Sequence, residues 1–221
     1  MTPQVAVFDV LGTVLDERGG FRAALAAAGA TGAELTELTD RWLGEVDGDI
    51  AAIASGAAAW RPWEQVIAEA LARTVPDDVR VEDPEALRFV GRRLPAWGDS
   101  AAGIRALRSR CRVVALSNAG LLPLVECSRA AGIEWDAALS SEMVRSAKPD
   151  PRVYDFVLDL LRLDPEDVVM VAAHPWDLRA AAERGLRTAF VERAGEGVAT
   201  VADAFDWTVA DLRSLSTVVG A

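Results

Sequence analysis

The stretch Val5-Ala6-Val7-Phe8-Asp9-Val10-Leu11-Gly12-Thr13 decides how the chain is read. Consecutive apolar residues suit a strand buried on both faces. A carboxylate at the C-terminal end of that strand, followed by Gly-Thr, places an acid where open α/β sheets bind ligands. Taken alone, an aspartate at a strand exit is an ordinary structural feature. Three later segments change that reading. Ser117-Asn118 follow the apolar run 113–116, Lys148 follows the loop Ser146-Ala147, and His174-Pro175-Trp176-Asp177 follow the apolar run 168–172. In a parallel sheet such endings converge with Asp9 on one edge.

The rest of the chain supports that sheet. From residue 98 onward, helices expected over 101–109, 122–131, 151–162 and 178–184 alternate with strands over 112–116, 137–139, 168–172 and 187–191, and Val209 closes a last short strand. Continuous apolar strands between helices predict an α/β fold, a Rossmann-like parallel sheet core flanked by helices. Residues 15–95 read differently. Phe21 to Ala28 is Ala-rich, Glu34 to Val46 has apolar residues at helical spacing, and Trp63, Val66, Ile67, Ala70 and Leu71 lie on one helical face within 60–73. Pro84 opens a further helical segment, 85–94, which Leu94-Pro95-Ala96-Trp97 breaks. The pattern predicts a helical domain, 15–95, inserted after the first strand into a core built from 1–14 and 96–221.

Charge and cysteine content narrow the partners. A net charge of -11 over 221 residues argues against nucleic acid or an anionic membrane surface as the main partner. Cys111 and Cys127 have neither metal-ligand spacing nor a disulfide-scaffold count, and read as buried free thiols in a reducing compartment. No apolar stretch reaches bilayer-spanning length, and the first strand begins within a few residues of Met1, leaving no visible signal peptide. The expectation is a soluble cytoplasmic protein that acts on a small molecule.

The chemistry follows from the clustered residue types. A carboxylate nucleophile at Asp9 can form an ester with an electrophilic centre and split one hard displacement into two steps. Lys148 would keep that carboxylate ionised and oriented. Thr13, Ser117 and Asn118 supply neutral donors to the carboxylate, the substrate or a leaving group. Asp177 can orient the water that hydrolyses the ester, and it also fits the N-cap of helix 178–184. His174, the one histidine of the chain, suits either a general base or a structural hydrogen bond at a turn.

Four motifs in this order resemble the haloacid dehalogenase superfamily of hydrolases. Asp9-Val10-Leu11-Gly12-Thr13 looks like its first motif, Leu116-Ser117-Asn118 its second, Lys148 its third and Asp177 its fourth, so the match covers nearly the whole chain. The helical insert is similar to that family's cap domain. Phosphatases of the superfamily carry a second Asp two residues after the nucleophile; here that residue is Leu11, which cannot protonate a leaving alcohol. Halide needs no general acid to leave.

Lys148-Pro149-Asp150-Pro151-Arg152-Val153-Tyr154 and Trp176-Asp177 further resemble the type II 2-haloacid dehalogenases, which usually act on L-enantiomers. That resemblance implies attack of Asp9 on the α-carbon of a short 2-haloacid, hydrolysis to a 2-hydroxy acid, and no metal or other cofactor. It also implies Tyr154 as a substrate-site tyrosine, Arg41 as the cap arginine that grips halide or carboxylate, and Trp63 as a cap aromatic of the halide pocket. Leu11 stands where the family often has a substrate-lining aromatic. Ala172 and His174 stand where it commonly has Ser and Asn, which position the aspartate and the hydrolytic water. The resemblance leaves room for a homodimer. Two other readings stay open: a magnesium-dependent hydrolase of a phosphate ester, which Leu11 counts against, and a non-catalytic protein of the same fold, which intact Asp9, Lys148 and Asp177 count against.

Overall fold

In the computed structural model, which describes residues 3–75 and 87–219, strand β1 (Val5–Phe8) runs up the middle of a parallel sheet. Its partners among the described residues are β2 (Arg112–Ser117), β3 (Ala137–Ser140), β4 (Val168–Ala172), β5 (Arg187–Val191) and β6 (Trp207–Val209), in the order β3-β2-β1-β4-β5-β6. Val5 pairs with Arg112 on one side and Val168 on the other, and Phe8 with Ala115 and Val171. The chain leaves β1 toward β2 and β3, then crosses to β4 on the other flank. The order therefore reverses beside β1, and the crevice above its C-terminal end is the expected ligand position in such a sheet.

Alternate residues of β1 feed two cores, which is why the strand is apolar throughout. Ala6 and Phe8 join one core with Ile104 and Leu107 of α4 (Ser100–Arg108), Leu124 and Cys127 of α5 (Leu121–Ala130), and Leu212 and Leu215 of α8 (Leu212–Val218). Val5 and Val7 join the other with Val153 and Val157 of α6 (Pro151–Leu161) and Leu178 and Ala181 of α7 (Pro175–Glu183). Helices thus cover both sheet faces, as the unbroken apolar runs require. Cys127 is buried, Cys111 is half-buried, and both are free thiols. Among the described residues no helix is long and apolar enough to cross a membrane.

Between β1 and α4 the chain makes a helical excursion. It leaves and returns through two touching segments: the Asp16 amide donates to Pro95 O (2.7 Å) and the Trp97 amide to Val14 O (3.1 Å). Asp16 caps α1 (Glu17–Ala27) by accepting from the Gly19 amide at 2.8 Å. Helix α2 (Gly32–Ala54) runs well past the expected end at Val46, because Ile53 extends the buried stripe of Leu38, Trp42 and Val46 beyond the polar run Asp47-Gly48-Asp49. Trp42 is fully buried, tilted against Phe21 with ring centroids 4.4 Å apart, and its indole donates to Ile67 O of α3 (Trp63–Thr74). The start of the helix expected over 85–94 falls outside the described residues; Val90–Arg92 within it form a 3₁₀ turn, with Gly91 flat against the Trp63 ring.

Candidate active site

Asp9 is the first residue beyond β1, and its amide still donates to Val171 O at 2.9 Å, so the sheet ladder fixes its backbone. The side chain is almost fully buried, and each oxygen is spoken for. Lys148 Nζ donates to Oδ1 at 2.7 Å, and Thr13 Oγ1 donates to Oδ2 at 2.6 Å. Thr13 Oγ1 in turn accepts from the Ala173 amide at 2.8 Å, which leaves its proton for Asp9. His174 Nδ1 lies 2.9 Å from Oδ2. Burial alone would raise the Asp9 pKa, but the Lys148 and His174 charges outweigh it and hold the carboxyl well below the usual carboxylate range.

Lys148 is shared. Its Nζ also donates to Asp177 Oδ2 at 2.6 Å, and Tyr154 Oη donates to Asp177 Oδ1 at 2.6 Å. Burial disfavours the ammonium, yet the two carboxylates keep the Lys148 pKa above its ordinary value. Asp177, fully buried and facing the charge of Asp9, is held above the usual carboxylate range. The Lys148 backbone is clamped by Asn118, whose Oδ1 accepts from Lys148 N at 2.7 Å and whose Nδ2 donates to Lys148 O at 3.2 Å.

Above Asp9 opens a cavity of about 550 Å³. Leu11, Asn118, Lys148 and His174 line it from the sheet edge, Glu17 and Arg18 from α1, Leu43, Val46, Asp47 and Ile50 from α2, Trp63 from α3, and Glu196 from the loop after β5. Gly12 (φ +74°) makes the close approach possible: a Cβ there would lie 2.8 Å from His174 Cε1 and 2.9 Å from Glu196 Cδ. Compared by sequence, the family described as haloacid dehalogenase-like hydrolase matches residues 3–185. The chain belongs to the haloacid dehalogenase-like hydrolases.

Among individual members of that family, (S)-2-haloacid dehalogenase 4A of Burkholderia cepacia is 29% identical over 195 residues, covering 87% of this chain and 84% of the relative. The crystal structure of the L-2-haloacid dehalogenase PA0810 superposes with a TM-score of 0.83 at 30% identity, over 97% of this chain and 98% of the other. That of the defluorinating L-2-haloacid dehalogenase Rha0230 gives 0.88 at 29% identity, over 99% and 96%.

Within this haloacid dehalogenase-like hydrolase, the residues expected from sequence separate into three groups. Asp9, Thr13 and Lys148 meet directly, Asn118 holds Lys148, and Leu11 and Trp63 line the cavity. Asp177 and Tyr154 stand behind Lys148 and off the cavity wall. Helix α7 begins at Pro175, so His174 takes the cap position, and Asp177 sits in the first turn instead of capping. Tyr154 is fully buried and reaches Asp177, not the cavity. Ser117 is also buried, its Oγ accepting from the Ala119 amide at 3.1 Å to shape the turn after β2.

Arg41 is misplaced by the sequence reading. It lies on the outer side of α2, paired with Glu37 one turn back, while the arginine that lines the cavity is Arg18, paired with Asp40. Glu17, Asp47 and Glu196 escaped the sequence reading altogether. Burial, reinforced by Asp47 and Glu196, pushes the Glu17 carboxyl up to about 8, and burial likewise raises that of Asp47. Among the described residues no group of three or more His, Cys, Asp or Glu side chains is arranged to hold a metal ion.

The Tyr154 position yields an expected result. Tyr154→Phe removes a donor from a buried carboxylate and lowers unfolding stability by about 1–3 kcal/mol, read from guanidinium denaturation. The deficit shrinks on acidification, because protonated Asp177 no longer needs the donor. A loss that does not vary with pH refutes this account of the bond.

Proposed function

We propose that this hydrolase cleaves the carbon–halogen bond of a short (S)-2-haloacid, with Asp9 as nucleophile. The observation that carries the reading is the Asp9 carboxylate at the cavity floor, held ionised by Lys148 and aimed by Thr13. A carboxylate oxygen attacks the α-carbon from the side opposite the halogen, inverts it and forms an ester as halide departs. Water then attacks the Asp9 carboxyl carbon and frees a 2-hydroxy acid. Leu11 offers an apolar wall and no proton, which suits a leaving group that needs none. We assign the carboxylate-gripping role expected of Arg41 to Arg18, and to segment 15–95 the role of a cap domain over a core of 1–14 and 96–221. Asn118 and Lys148 stay in the catalytic assembly, and Asp177 acts through Lys148. Relatives that cover most of this chain are named (S)-2-haloacid dehalogenase and L-2-haloacid dehalogenase, which supports the reading.

The test is halide release from (S)-2-chloropropionate without added metal, followed by ion chromatography, beside a panel of phosphate esters with and without magnesium. Halide and 2-hydroxypropionate in equal amounts are expected. Phosphatase activity that depends on magnesium, without halide release, overturns the proposal.

A further inference from the structure

Ester hydrolysis needs a base that can reach water at the Asp9 carboxyl carbon, and the motif acid stands behind Lys148, away from the cavity. Asp177 is fully buried and off the cavity wall, with one oxygen bound to Lys148 and the other to Tyr154. Lys148 is an ammonium held by two carboxylates and has donors only. His174 differs from both. Its ring lines the cavity and is 17% exposed, Nδ1 faces Asp9 Oδ2 at 2.9 Å, and Nε2 faces Glu196 Oε2 at 3.1 Å.

The Glu196 contact is built into the fold. Glu196 stands between Gly195 (φ +84°) and Gly197, where a Cβ would lie 2.3 Å from Pro175 Cδ. Upstream, Arg193 Nε donates to Thr13 O at 2.8 Å and its guanidinium pairs with Asp99. The loop is thereby pinned to the turn after Asp9.

We propose that His174, oriented by Glu196, is the general base of ester hydrolysis, and that the charge on Asp9 sets when it acts. The inference rests on the 2-haloacid reading of the same site. In the resting enzyme both imidazole nitrogens face carboxylates, Glu17 and Asp47 add acidic groups from α1 and α2, and Trp176 stacks on the ring at 5.5 Å. Burial works against a charged ring, but the Asp9 and Glu196 hydrogen bonds outweigh it and push the His174 pKa up to about 10. The ring is an imidazolium and cannot act as a base.

Alkylation changes that. When the Asp9 carboxylate becomes a neutral ester and halide leaves, Nδ1 loses its ionic partner and the imidazolium releases its proton through the open cavity. Neutral His174 then donates Nε2–H to Glu196 and turns the Nδ1 lone pair toward the ester. Nδ1 takes a proton from water as the water oxygen bonds to the Asp9 carboxyl carbon. The tetrahedral adduct expels the product alkoxide, which recovers that proton from Nδ1. The Asp9 carboxylic acid formed passes its own proton to His174, restoring the ion pair. Over one cycle, haloacid and water give hydroxy acid, halide and one proton.

His174→Ala and Glu196→Gln test this with (S)-2-chloropropionate in rapid-quench single turnovers, following halide and the mass of the Asp9 peptide. His174→Ala is expected to give a stoichiometric halide burst and a stable ester on Asp9, its decay slowed at least about 100-fold. The burst itself certifies a folded site. Glu196→Gln removes an anion that favours the imidazolium, so the acid limb of the ester-decay profile moves to lower pH; a merely structural loop residue would scale the rate without moving the limb. Ester decay at the wild-type rate in His174→Ala, or equal slowing of alkylation and decay, overturns the inference alone. No halide from the wild type overturns the 2-haloacid reading and this inference with it.

Discussion

Asp9→Asn is expected to release halide from (S)-2-chloropropionate roughly 10⁴-fold more slowly than the wild type, or less, with no ester detectable on residue 9. The first step makes a bond between a carboxylate oxygen and carbon. A neutral amide oxygen lacks the charge that drives the attack, and no other carboxylate at the cavity floor has the same access: Asp177 is sealed behind Lys148. The substitution keeps volume but reverses polarity at one corner. Where Oδ2 accepts from Thr13 and faces His174 Nδ1, the amide nitrogen would present donors to donors, so some stability is lost as well. Far-ultraviolet circular dichroism and a melting curve therefore accompany the kinetics, and the rate is compared where the variant is folded. Halide release within tenfold of the wild type from a folded variant removes Asp9 as nucleophile.

What could be read in the sequence was whatever a strand end controls. Asp9, Asn118 and His174 follow β1, β2 and β4, three neighbouring strands whose parallel register brings their ends together whatever the loops do. Helix phase was not legible. α2 carries Arg41 and Asp47 about one and two-thirds turns apart, and only packing against α1 and α3 decides that Asp47 faces the cavity and Arg41 does not. Only the family resemblance puts Tyr154 in the pocket. Helix α6 starts at Pro151, however, and turns the phenol into the core beneath the sheet edge. Glu196 comes from a loop with no periodicity to read. Its one signal was the pair of flanking glycines, which mark a close backbone approach.

Lys148→Met should have the largest effect on folding, because its charge bridges and neutralises two buried acids. With the ammonium gone, Asp9 keeps Thr13 and His174, but Asp177 keeps only the Tyr154 hydroxyl, and the two carboxylates face each other without a cation between them. Breaking a buried pair in this way costs about 3–5 kcal/mol, far more than the exposed ion pairs of this protein contribute. The sign of the pH dependence follows. Without Lys148 the folded-state pKa of Asp177, already raised, rises further above its unfolded value, so folding takes up a proton. The variant is therefore most nearly normal below the unfolded value near 3.9, and its deficit grows as pH rises through the folded one. A second substitution isolates the cause: Asp177→Asn in the Lys148→Met background deletes the stranded charge, so the double variant should be less destabilised than the two single losses added together. Guanidinium titrations of the four proteins at neutral and acid pH measure this directly. Strict additivity, or a deficit that does not change with pH, would show that Lys148 stabilises the fold by packing its stem instead of by charge.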